Sequence, residues 1–472
     1  MTESSKPVVY WLREDFRLHD NLALTEAAKD KKKLVLVYFA DYLEKRRDSA
    51  EEVWNINSFS EIRKKYQENY GISIQYYKYD PIKKFNELHK KFGITEIYIN
   101  ELFDPAIKKK DDSLKSHFSG QINFNTFNSN LLFDPESIKN NSGSYFKVYT
   151  PFWRNCLTKL SIRKPLKPPK EIHIFEDNSL QNHDDLSINN PTWANKLFNY
   201  FTPGENAARL KLKELSRYIK NYSVNRDFPN KDTTSKLSMY FARGELSVNE
   251  VMFHLTKNKE KIDKEDFNKF CSQIGWREFS YNILYNFPKL PSENFNKKFD
   301  SFQWDTNKKN FKQWKLGQTG FPIVDAGMRE LYQTGYMHNR VRMITASFLV
   351  KDLLIDWRLG RKWFEETLFD HDIANNSAGW QWVAGSGTDA APYFRIFNPS
   401  LQSERFDKDA IYIKKWIPEL RDLPAKLIHS PWKASSTDLK KYNIELGKTY
   451  PYPMIDHSEA RDRALMLYKK LK

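Results

Sequence analysis

The sequence DHDIANNSAGWQWVAGSGTDAAPYFRIFNP, residues 370–399, combines many polar side chains with many large rings. Side chains four positions apart share a helix face, whereas side chains two positions apart point in nearly opposite directions. If this stretch is helical, Asp372, Asn376 and Trp380 share one face. Trp382 then points away from Trp380. A purely structural segment rarely carries this mixture of acids, amides and indoles, so we interpret it as the floor of a binding site.

Length and composition narrow the class of protein. A chain of 472 residues predicts two or three domains. Its 76 Lys and Arg against 60 Asp and Glu give a net charge of +16, and 15% of its residues are aromatic. This surface suits a polyanionic partner, nucleic acid first, although lysine runs are as often solvated helix faces. Two cysteines, Cys156 and Cys271, indicate a reducing compartment without a disulfide framework.

Motifs that the sequence lacks exclude further classes of protein. The sequence has no Cys/His cluster typical of a metal site, no apolar leader and no membrane-spanning stretch, so we expect a cytoplasmic protein without a metal. It also lacks GxGxxG and P-loop motifs, which argues against a phosphate-cradling Rossmann site.

Strand and helix signals divide the chain. An α/β domain with a Rossmann-like parallel sheet is predicted over residues 1–130, where strand signals alternate with helical patterns. The strands are expected at 8–11, 34–39, 72–79 and 96–99, with helices at 57–70 and 81–92. A Pro-, Asn- and Lys-rich connector is expected over 131–204. Residues 205–472 predict a larger all-α domain, with helices at 207–221, 248–255, 266–285, 323–334 and 337–357.

Several polar and aromatic groups in the helical part could bind a ligand. A Thr/Ser run at 233–238 could cap a helix or hold a phosphate at its N-terminus. Gln273, Trp276 and Arg277 share a helix face that could read a heterocycle, or merely pack on a neighbouring helix. For the isolated tryptophans Trp304, Trp357 and Trp380, composition alone favours the core.

Longer motifs identify a family. The motifs are WLREDFRLHDNLAL (11–24), GQTGFPIVDAGMREL (317–331), MHNRVRMITASFLVKDLLIDWR (337–358) and PYFRIFNPS (392–400). With these motifs the chain resembles the photolyase/cryptochrome family almost end to end. It is most similar to the class I cyclobutane pyrimidine dimer photolyases of microbes.

This resemblance implies a cofactor and the residues that bind it. The implied architecture is an α/β antenna domain, a connector and an all-helical domain that binds FAD, with a second, antenna chromophore of open identity. Arg342 would pair with Asp370, and Asn376 would lie against the flavin N5. The implied FAD contacts are Tyr222, Thr234, Ser235, Lys236, Leu237, Ser238, Phe270, Arg277, Arg342, Asp370, His371, Asp372 and Asn376.

The resemblance also implies light-driven repair of damaged DNA by a monomer. Trp380, Trp357 and Trp304 would carry electrons between the flavin and the surface. Trp276 and Trp382 would form the walls of the lesion pocket. The implied contacts to the flipped bases are Gln273, Asn339 and Met343, and the implied contacts to the DNA backbone and the pocket rim are Arg226, Arg340 and Arg395.

The sequence departs from the family pattern at positions that bear on specificity. Gln273 stands where most dimer photolyases have Glu, and Gln there is seen in (6-4) photolyases and cryptochromes. His338, Asn339 and Met343 lack the histidine pair of the (6-4) subfamily, and Phe270 replaces a usual Trp. The alternatives are therefore a (6-4) photolyase and a cryptochrome-like photosensor, the latter disfavoured by the short C-terminus.

The expected antenna site also differs from the family pattern. Ala106 and Ile107 occupy the place of the usual pterin-binding Asn-Glu pair. A deazaflavin, a flavin, a pterin bound differently, or no antenna all stay open.

Overall fold

The α/β part is built on one parallel sheet. The computed structural model describes residues 6–43, 48–180, 190–389 and 394–471. Within these ranges the strands are β1 (Val8–Trp11), β2 (Lys33–Phe39), β3 (Gln75–Tyr77), β4 (Glu96–Asn100), β5 (Asn123–Phe127) and β6 (His173–Ile174). Their order is β3-β2-β1-β4-β5, and β6 also pairs with β2. The central strand β1 is buried throughout, because helices cover both faces of such a sheet.

The helices around the sheet begin and end at residues that the sequence makes recognisable. They are α1 (Leu22–Ala27), α2 (Ala50–Tyr70), α3 (Pro81–Phe92) and α4 (Pro105–His117), whereas the next helix, α5 (Tyr149–Lys159), packs into the core of the helical part. Ser49, Asp80 and Asp104 cap α2, α3 and α4 by accepting backbone N–H bonds. Gly71 and Gly93, with φ of +69° and +67°, end α2 and α3 in the left-handed conformation that glycine tolerates best.

The rest of the described chain is helical, as predicted. Its helices are α6 (Glu205–Lys213), α7 (Leu215–Ile219), α8 (Tyr222–Asn225), α9 (Ser238–Ala242), α10 (Val248–Lys257), α11 (Lys264–Asn286), α12 (Lys308–Lys315), α13 (Pro322–Thr334), α14 (Asn339–Ser347), α15 (Trp357–Thr367), α16 (Ile373–Ala384), α17 (Pro399–Phe406), α18 (Ile411–Trp416), α19 (Ala425–Ile428), α20 (Ser436–Lys440) and α21 (His457–Lys469). Among the described helices, none combines the length and apolar character needed to cross a bilayer.

The helix expected at 57–70 begins earlier, at Ala50, and two other expected helices are interrupted. The helix expected over 207–221 is divided into α6 and α7, and Asn221 beyond them has a φ of +57°. The helix expected over 337–357 ends as α14, passes through a π-helical turn at Phe348–Asp352, and stops before Leu354, whose φ is +54°. Asp356 then caps a new helix by accepting from the N–H of Arg358 at 2.9 Å, so Trp357 begins α15.

The expected connector has more structure than its composition predicts. Helix α5 lies within it, and β6 pairs with Lys33 and Leu34 of β2. Strands β5 and β6 both escaped the sequence analysis, because β5 is rich in Asn and β6 has only two residues. The division into residues 1–130, 131–204 and 205–472 stays a prediction.

The polar loop after β1 joins the α/β part to the helical part. Arg17 is fully buried, and its Nη1 donates to the carbonyl of Gly244 at 2.7 Å. The buried carboxylate of Asp20 accepts from Ser247 Oγ and pairs with Arg163. A Cβ at residue 244 would clash with the carbonyl of Glu14, so only glycine permits this approach. These charged side chains therefore form a structural joint.

Candidate functional site

The polar stretch quoted first forms helix α16. Asp372 caps the N-terminus by accepting from the backbone N–H of Asn375 at 2.8 Å. The helix continues without a break to Gly385, which ends it with a φ of +90°. Asp372, Asn376 and Trp380 therefore lie on one side of a continuous helix, as their spacing predicts.

Asp370 is the centre of a buried polar contact between three elements. Its two carboxylate oxygens lie 3.0 and 2.9 Å from Arg342 Nη2, and Ser238 Oγ donates to one of them at 2.7 Å. Burial lowers the pKa of the Arg342 guanidinium, but the charge and hydrogen bond of Asp370, together with Tyr336 and Glu330, outweigh burial, so the pKa is raised. The expected pairing of Arg342 with Asp370 is present, and it joins α9, α14 and the start of the α16 stretch.

The neighbouring residues are anchored to other elements. Tyr281 Oη donates to Asp372 at 2.6 Å, and burial together with that carboxylate raises the Tyr281 pKa well above its usual range. His371 Nδ1 lies 3.0 Å from the carboxylate of Glu51, on α2, and the His371 carbonyl accepts from Arg243 at 2.7 Å. The two acids are thus held by fixed donors, which suits ligand binding better than proton transfer.

Asn376 lies one turn into α16. Its Nδ2 donates to the carbonyl of Arg361 on α15 at 3.0 Å, which orients the amide. Gly379, three residues further, is exposed, and a Cβ added there would meet no atom within 4 Å.

Aromatic and cationic side chains from α8 and α11 lie nearby. The rings of Tyr222 and Phe270 are 5.3 Å apart at 62°, and both are buried. Arg277 donates through Nη1 to the carbonyl of Asn130 at 3.0 Å and lies over the ring of Tyr281 at 4.8 Å. These contacts fix Arg277, on α11, at the boundary between the α/β part and the helical part.

The Thr/Ser run forms an extended segment before α9. Thr234, Ser235 and Lys236 are half-buried and Leu237 is buried. Lys236 has a φ of +53°, a conformation unusual outside glycine. Thr233 Oγ1 is buried and has no hydrogen-bond partner among the described residues. An unpaired buried hydroxyl beside a turned backbone is the feature expected where a ligand supplies the missing acceptor.

Trp380 is packed deeply on the inner side of α16. It is 2% exposed, and its Nε1 has no partner within the described chain. Phe364 and Trp314 lie 5.0 and 6.2 Å from its ring. A Cβ at Gly360 of α15 would clash with the indole, so the two helices meet closely there.

The other two tryptophans of the expected electron chain belong to adjoining elements. Trp357 is fully buried at the start of α15, and its Nε1 donates to Asn294 at 2.9 Å. Trp304 is half-buried, and the neighbouring Asp305 pairs with Ile355, two residues before Trp357. Trp357 and Trp380 are thus both buried, and Trp304 is the most accessible of the three.

The two tryptophans expected as walls of the lesion pocket are held by different contacts, one by ring stacking and the other by a hydrogen bond. Trp276 stacks on Tyr149, with ring centroids 3.8 Å apart and planes at 8°. Trp382 is half-buried, and its Nε1 donates to the carbonyl of Asp389 at 3.1 Å.

The polar residues expected at the lesion stay accessible. Gln273 is half-buried and donates weakly to the carbonyl of Lys269 at 3.3 Å. Asn339 is exposed, with its amide 3.8 Å from the sulfur of Met343. These side chains keep hydrogen-bonding capacity for a ligand.

Two of the three expected DNA-contacting arginines meet one carboxylate. Arg340 donates to Asp227 at 2.8 Å and lies over Phe406 at 4.3 Å, while Arg226 is 3.6 Å from the same carboxylate. Arg395 is exposed. Asp227 thus holds two cationic side chains close together.

Sequence reasoning missed the partners that hold these groups. Tyr149, Tyr281 and Glu51 lie far along the chain from the residues that they contact, and no spacing connects them. Lys351 was missed too: its buried Nζ donates to the carbonyl of Ala384 at 2.7 Å, at the end of α16, and burial lowers its pKa well below the usual range. The aromatic run around Tyr149 was the one available signal.

Comparisons with known proteins show the family of the chain. Residues 8–171 match the family model described as DNA photolyase, and residues 270–470 match the FAD binding domain of DNA photolyase. A deoxyribodipyrimidine photo-lyase of Agrobacterium fabrum is 41% identical over all of this chain and 99% of its own length. The chain belongs to the photolyase/cryptochrome family.

Solved structures of the family share the whole fold. A class III photolyase from Agrobacterium tumefaciens is 40% identical, covers 100% of this chain and 98% of its own, and superposes with a TM-score of 0.94. An archaeal photolyase from Sulfolobus tokodaii, described with two FAD molecules, is 28% identical, covers 98% of this chain and 100% of its own, and superposes with a TM-score of 0.80. The Agrobacterium tumefaciens protein is a class III photolyase, whereas the sequence resemblance pointed to class I, so the subclass of this chain stays a prediction.

Proposed function

We propose that this chain is a light-driven DNA-repair lyase that uses FAD to split cyclobutane pyrimidine dimers. The observation that carries the proposal is helix α16. One side of it bears Asp372, Asn376 and the buried Trp380, and Trp382 projects on another side. A single rigid helix thus separates a cofactor region from a substrate region.

The residues present fit FAD. The unpaired Thr233 hydroxyl and the turned backbone at Lys236 suit the phosphates, and the Arg342–Asp370–Ser238 contact offers fixed donors and acceptors. The residues that would hold the cofactor are Tyr222, Thr234, Ser235, Lys236, Leu237, Ser238, Phe270, Arg277, Arg342, Asp370, His371, Asp372 and Asn376. When bound, reduced and excited by light, FAD supplies the electron that opens the cyclobutane ring and takes it back afterwards.

The chain's own residues bind and orient the lesion. A damaged dinucleotide stacks poorly, so extruding it costs less than extruding an intact step. Trp276 and Trp382 offer aromatic faces, and stacking contributes about 1–3 kcal/mol per base. Gln273, Asn339 and Met343 would contact the extruded bases, and Arg226, Arg340 and Arg395 would hold the phosphates without sequence preference.

The antenna is proposed as a second chromophore in the α/β part. Ile107 is buried in the core of that part, and the backbone N–H of Ala106 donates to the capping Asp104. Neither side chain can bind a pterin in the usual manner. An absorption spectrum of the purified protein, compared with that of the FAD released from it, identifies any second chromophore.

We propose a cytoplasmic monomer. Cys156 and Cys271 are buried and unpaired, as in a reducing compartment. Elution at the mass of one chain in size-exclusion chromatography with light scattering is the expected result.

Lesion choice is tested by competition. The reduced protein is illuminated with an equimolar mixture of oligonucleotides carrying a cyclobutane dimer or a (6-4) photoproduct. We expect loss of the dimer alone. Loss of the (6-4) product alone would reassign the lesion, and Gln273 would be the residue to examine. Loss of neither, with FAD bound and reduced, would favour a photosensor.

A further inference from the structure

A buried lysine lies at the C-terminal end of α16. Lys351 is 1% exposed, and its Nζ donates to the carbonyl of Ala384 at 2.7 Å. Burial lowers its pKa well below the usual range, and no carboxylate in the described chain forms an ion pair with it. Burying an amine costs free energy, and an apolar side chain of similar size would avoid that cost. A contribution to stability therefore does not explain why a lysine lies here.

Lys351 belongs to a segment that is anchored to the C-terminal helix. It lies in the buried π-helical turn Phe348–Asp352, and such turns are frequent at functional sites. The next residue, Asp352, contacts α21: its carboxylate is 2.5 Å from His457 Nδ1, and its carbonyl accepts from Arg463 at 3.1 Å. The turn is thus fixed to α21 through Asp352 and to α16 through Lys351.

The Lys351 amine also contacts the chain beyond α16. Its Nζ lies 2.9 Å from the ring centroid of Phe394, which stacks on Tyr468 of α21 at 4.4 Å and 9°. In either protonation state an amine has N–H groups for both the Ala384 carbonyl and the ring face. A Cβ at Gly385, where α16 ends, would lie 3.2 Å from Phe394 and 3.4 Å from the amine. Residues 385 and 394 therefore meet at Lys351.

Two residues of the proposed lesion pocket lie around the same small cavity as this amine. The cavity has a volume of about 20 Å³, enough for about one water molecule, and its lining includes Lys351, Trp382 and Arg395. Arg395 directly follows the ring that Lys351 contacts. Two residues later, the backbone N–H of Phe397 donates to Ser347 Oγ at 3.3 Å. The backbone on each side of Arg395 is therefore held by the segment that carries Lys351.

We infer that Lys351 is a positioning residue that fixes Arg395 relative to Trp382 at the lesion pocket. This inference rests on the proposed function. The amine joins the end of the helix that carries Trp382 to the ring that precedes Arg395. The aromatic wall and the rim cation thus keep one relative position before DNA binds. A preformed site does not have to order these groups on binding, which favours affinity.

The substitution Lys351→Met tests the role of the amine. It removes the N–H groups but keeps the length of the side chain, and an apolar residue suits the buried position, so we expect a folded protein with wild-type FAD content. In the dark, its affinity for dimer-containing duplex should fall about ten-fold. The slope of log affinity against log salt should become shallower by about 0.9, because one phosphate contact is lost.

Lys84→Met is the matched control. Lys84 is buried on α3, in the α/β part, and its Nζ lies 5.0 Å from the ring centroid of Tyr77. This substitution also replaces a buried lysine beside an aromatic ring, but far from the lesion pocket. It should leave both the affinity and the salt slope at their wild-type values.

Two further variants test the contacts on either side of the amine. Arg395→Gln should reduce the salt slope equally, and combining it with Lys351→Met should lose little beyond either single variant, rather than about a hundred-fold. Phe394→Leu keeps the amine but removes its ring partner, and should cause the same loss even if Lys351→Met does not fold. Wild-type affinity and slope in folded Lys351→Met or Phe394→Leu protein, or additive losses with Arg395→Gln, would overturn the inference. A wild-type protein that does not prefer the dimer would instead refute the proposed function.

Discussion

At the scale of single residues, Trp380 has the most specific expected role. Replacing it by Phe keeps a ring against Phe364 and Gly360 but removes the readily oxidised indole. We expect the Trp380→Phe protein to photoreduce oxidised flavin at least about ten-fold more slowly, while the pre-reduced protein repairs normally. The measurement is transient absorption alongside a repair assay.

Trp314 is the matched control for that experiment. It is as deeply buried, and its ring lies 6.2 Å from that of Trp380, but it is outside the expected chain. Trp314→Phe should therefore photoreduce nearly as the wild type does. Loss of repair in pre-reduced Trp380→Phe would show that Trp380 has another function.

Trp382 is expected to act on the substrate alone. Trp382→Ala removes a stacking surface worth about 1–3 kcal/mol, so affinity for dimer-containing DNA should fall about ten- to a hundred-fold. The protein should stay yellow, because no expected FAD contact is removed. Fluorescence anisotropy measures the affinity, and an unchanged value would refute the wall assignment.

Individual residues also show what a sequence can predict. The spacing of Asp372, Asn376 and Trp380 predicted a shared helix face, and the Arg342–Asp370 pairing followed from the family motif. Tyr149 and Tyr281 could not be predicted, because their contacts with Trp276 and Asp372 connect positions more than ninety residues apart. Local periodicity contains no information on such tertiary pairing.

At the scale of elements, the packing of α15 against α16 positions the buried indole. Gly360→Ala would place a methyl group against Trp380, and overpacking of this kind costs about 1–3 kcal/mol. We expect a lower midpoint of thermal unfolding and slower flavin photoreduction. Leu359→Ala, at a neighbouring exposed position of the same helix, is the control and should change neither. An unaltered melting curve for Gly360→Ala would show that the helices separate easily.

Helix boundaries were the least predictable feature at this scale. The residues 337–357 contain no Gly or Pro, so their apolar spacing predicted one helix. The break comes instead from a π-helical turn, a left-handed Leu354 and the cap that Asp356 provides. The break places Trp357 at the start of α15, beside the segment that contains Trp304.

At the scale of the whole molecule, buried polar groups join the α/β part to the helical part. Glu245 accepts from Trp54 Nε1 of α2 at 3.0 Å and from the backbone N–H of Gly204. Burial raises the pKa of this carboxyl from 4.5 to about 7. The folded protein therefore binds the Glu245 proton more tightly than the unfolded chain does. The resulting contribution to the free energy of unfolding is fully present below pH 4.5 and is lost as the pH rises through 7.

The resulting prediction concerns stability against pH. Between pH 5 and 8 the wild type should lose up to about 3 kcal/mol through Glu245, and Glu245→Gln should show a correspondingly shallower decrease. Chemical denaturation at several pH values measures it. Glu68→Gln, exposed on α2, is the control and should keep the wild-type slope. A slope unchanged in Glu245→Gln would place the titrating group elsewhere.

The overall architecture was largely predictable, because alternating strands and helices specify a parallel sheet and apolar spacing specifies helices. The structural joint was not predictable, because Arg17 and Asp20 could as well have lined a ligand site. Their burial against Gly244 and Ser247 makes them structural.

The central claim is that light, through a flavin held beside Asn376 and Trp380, repairs a dimer held beside Trp382. The most direct test is a single-turnover assay with the pre-reduced protein and a thymine-dimer oligonucleotide, in darkness and under blue light. We expect the dimer to persist in darkness, and to disappear in light with both intact thymines recovered by mass spectrometry. An undiminished dimer after illumination, with FAD bound and reduced, would contradict the claim.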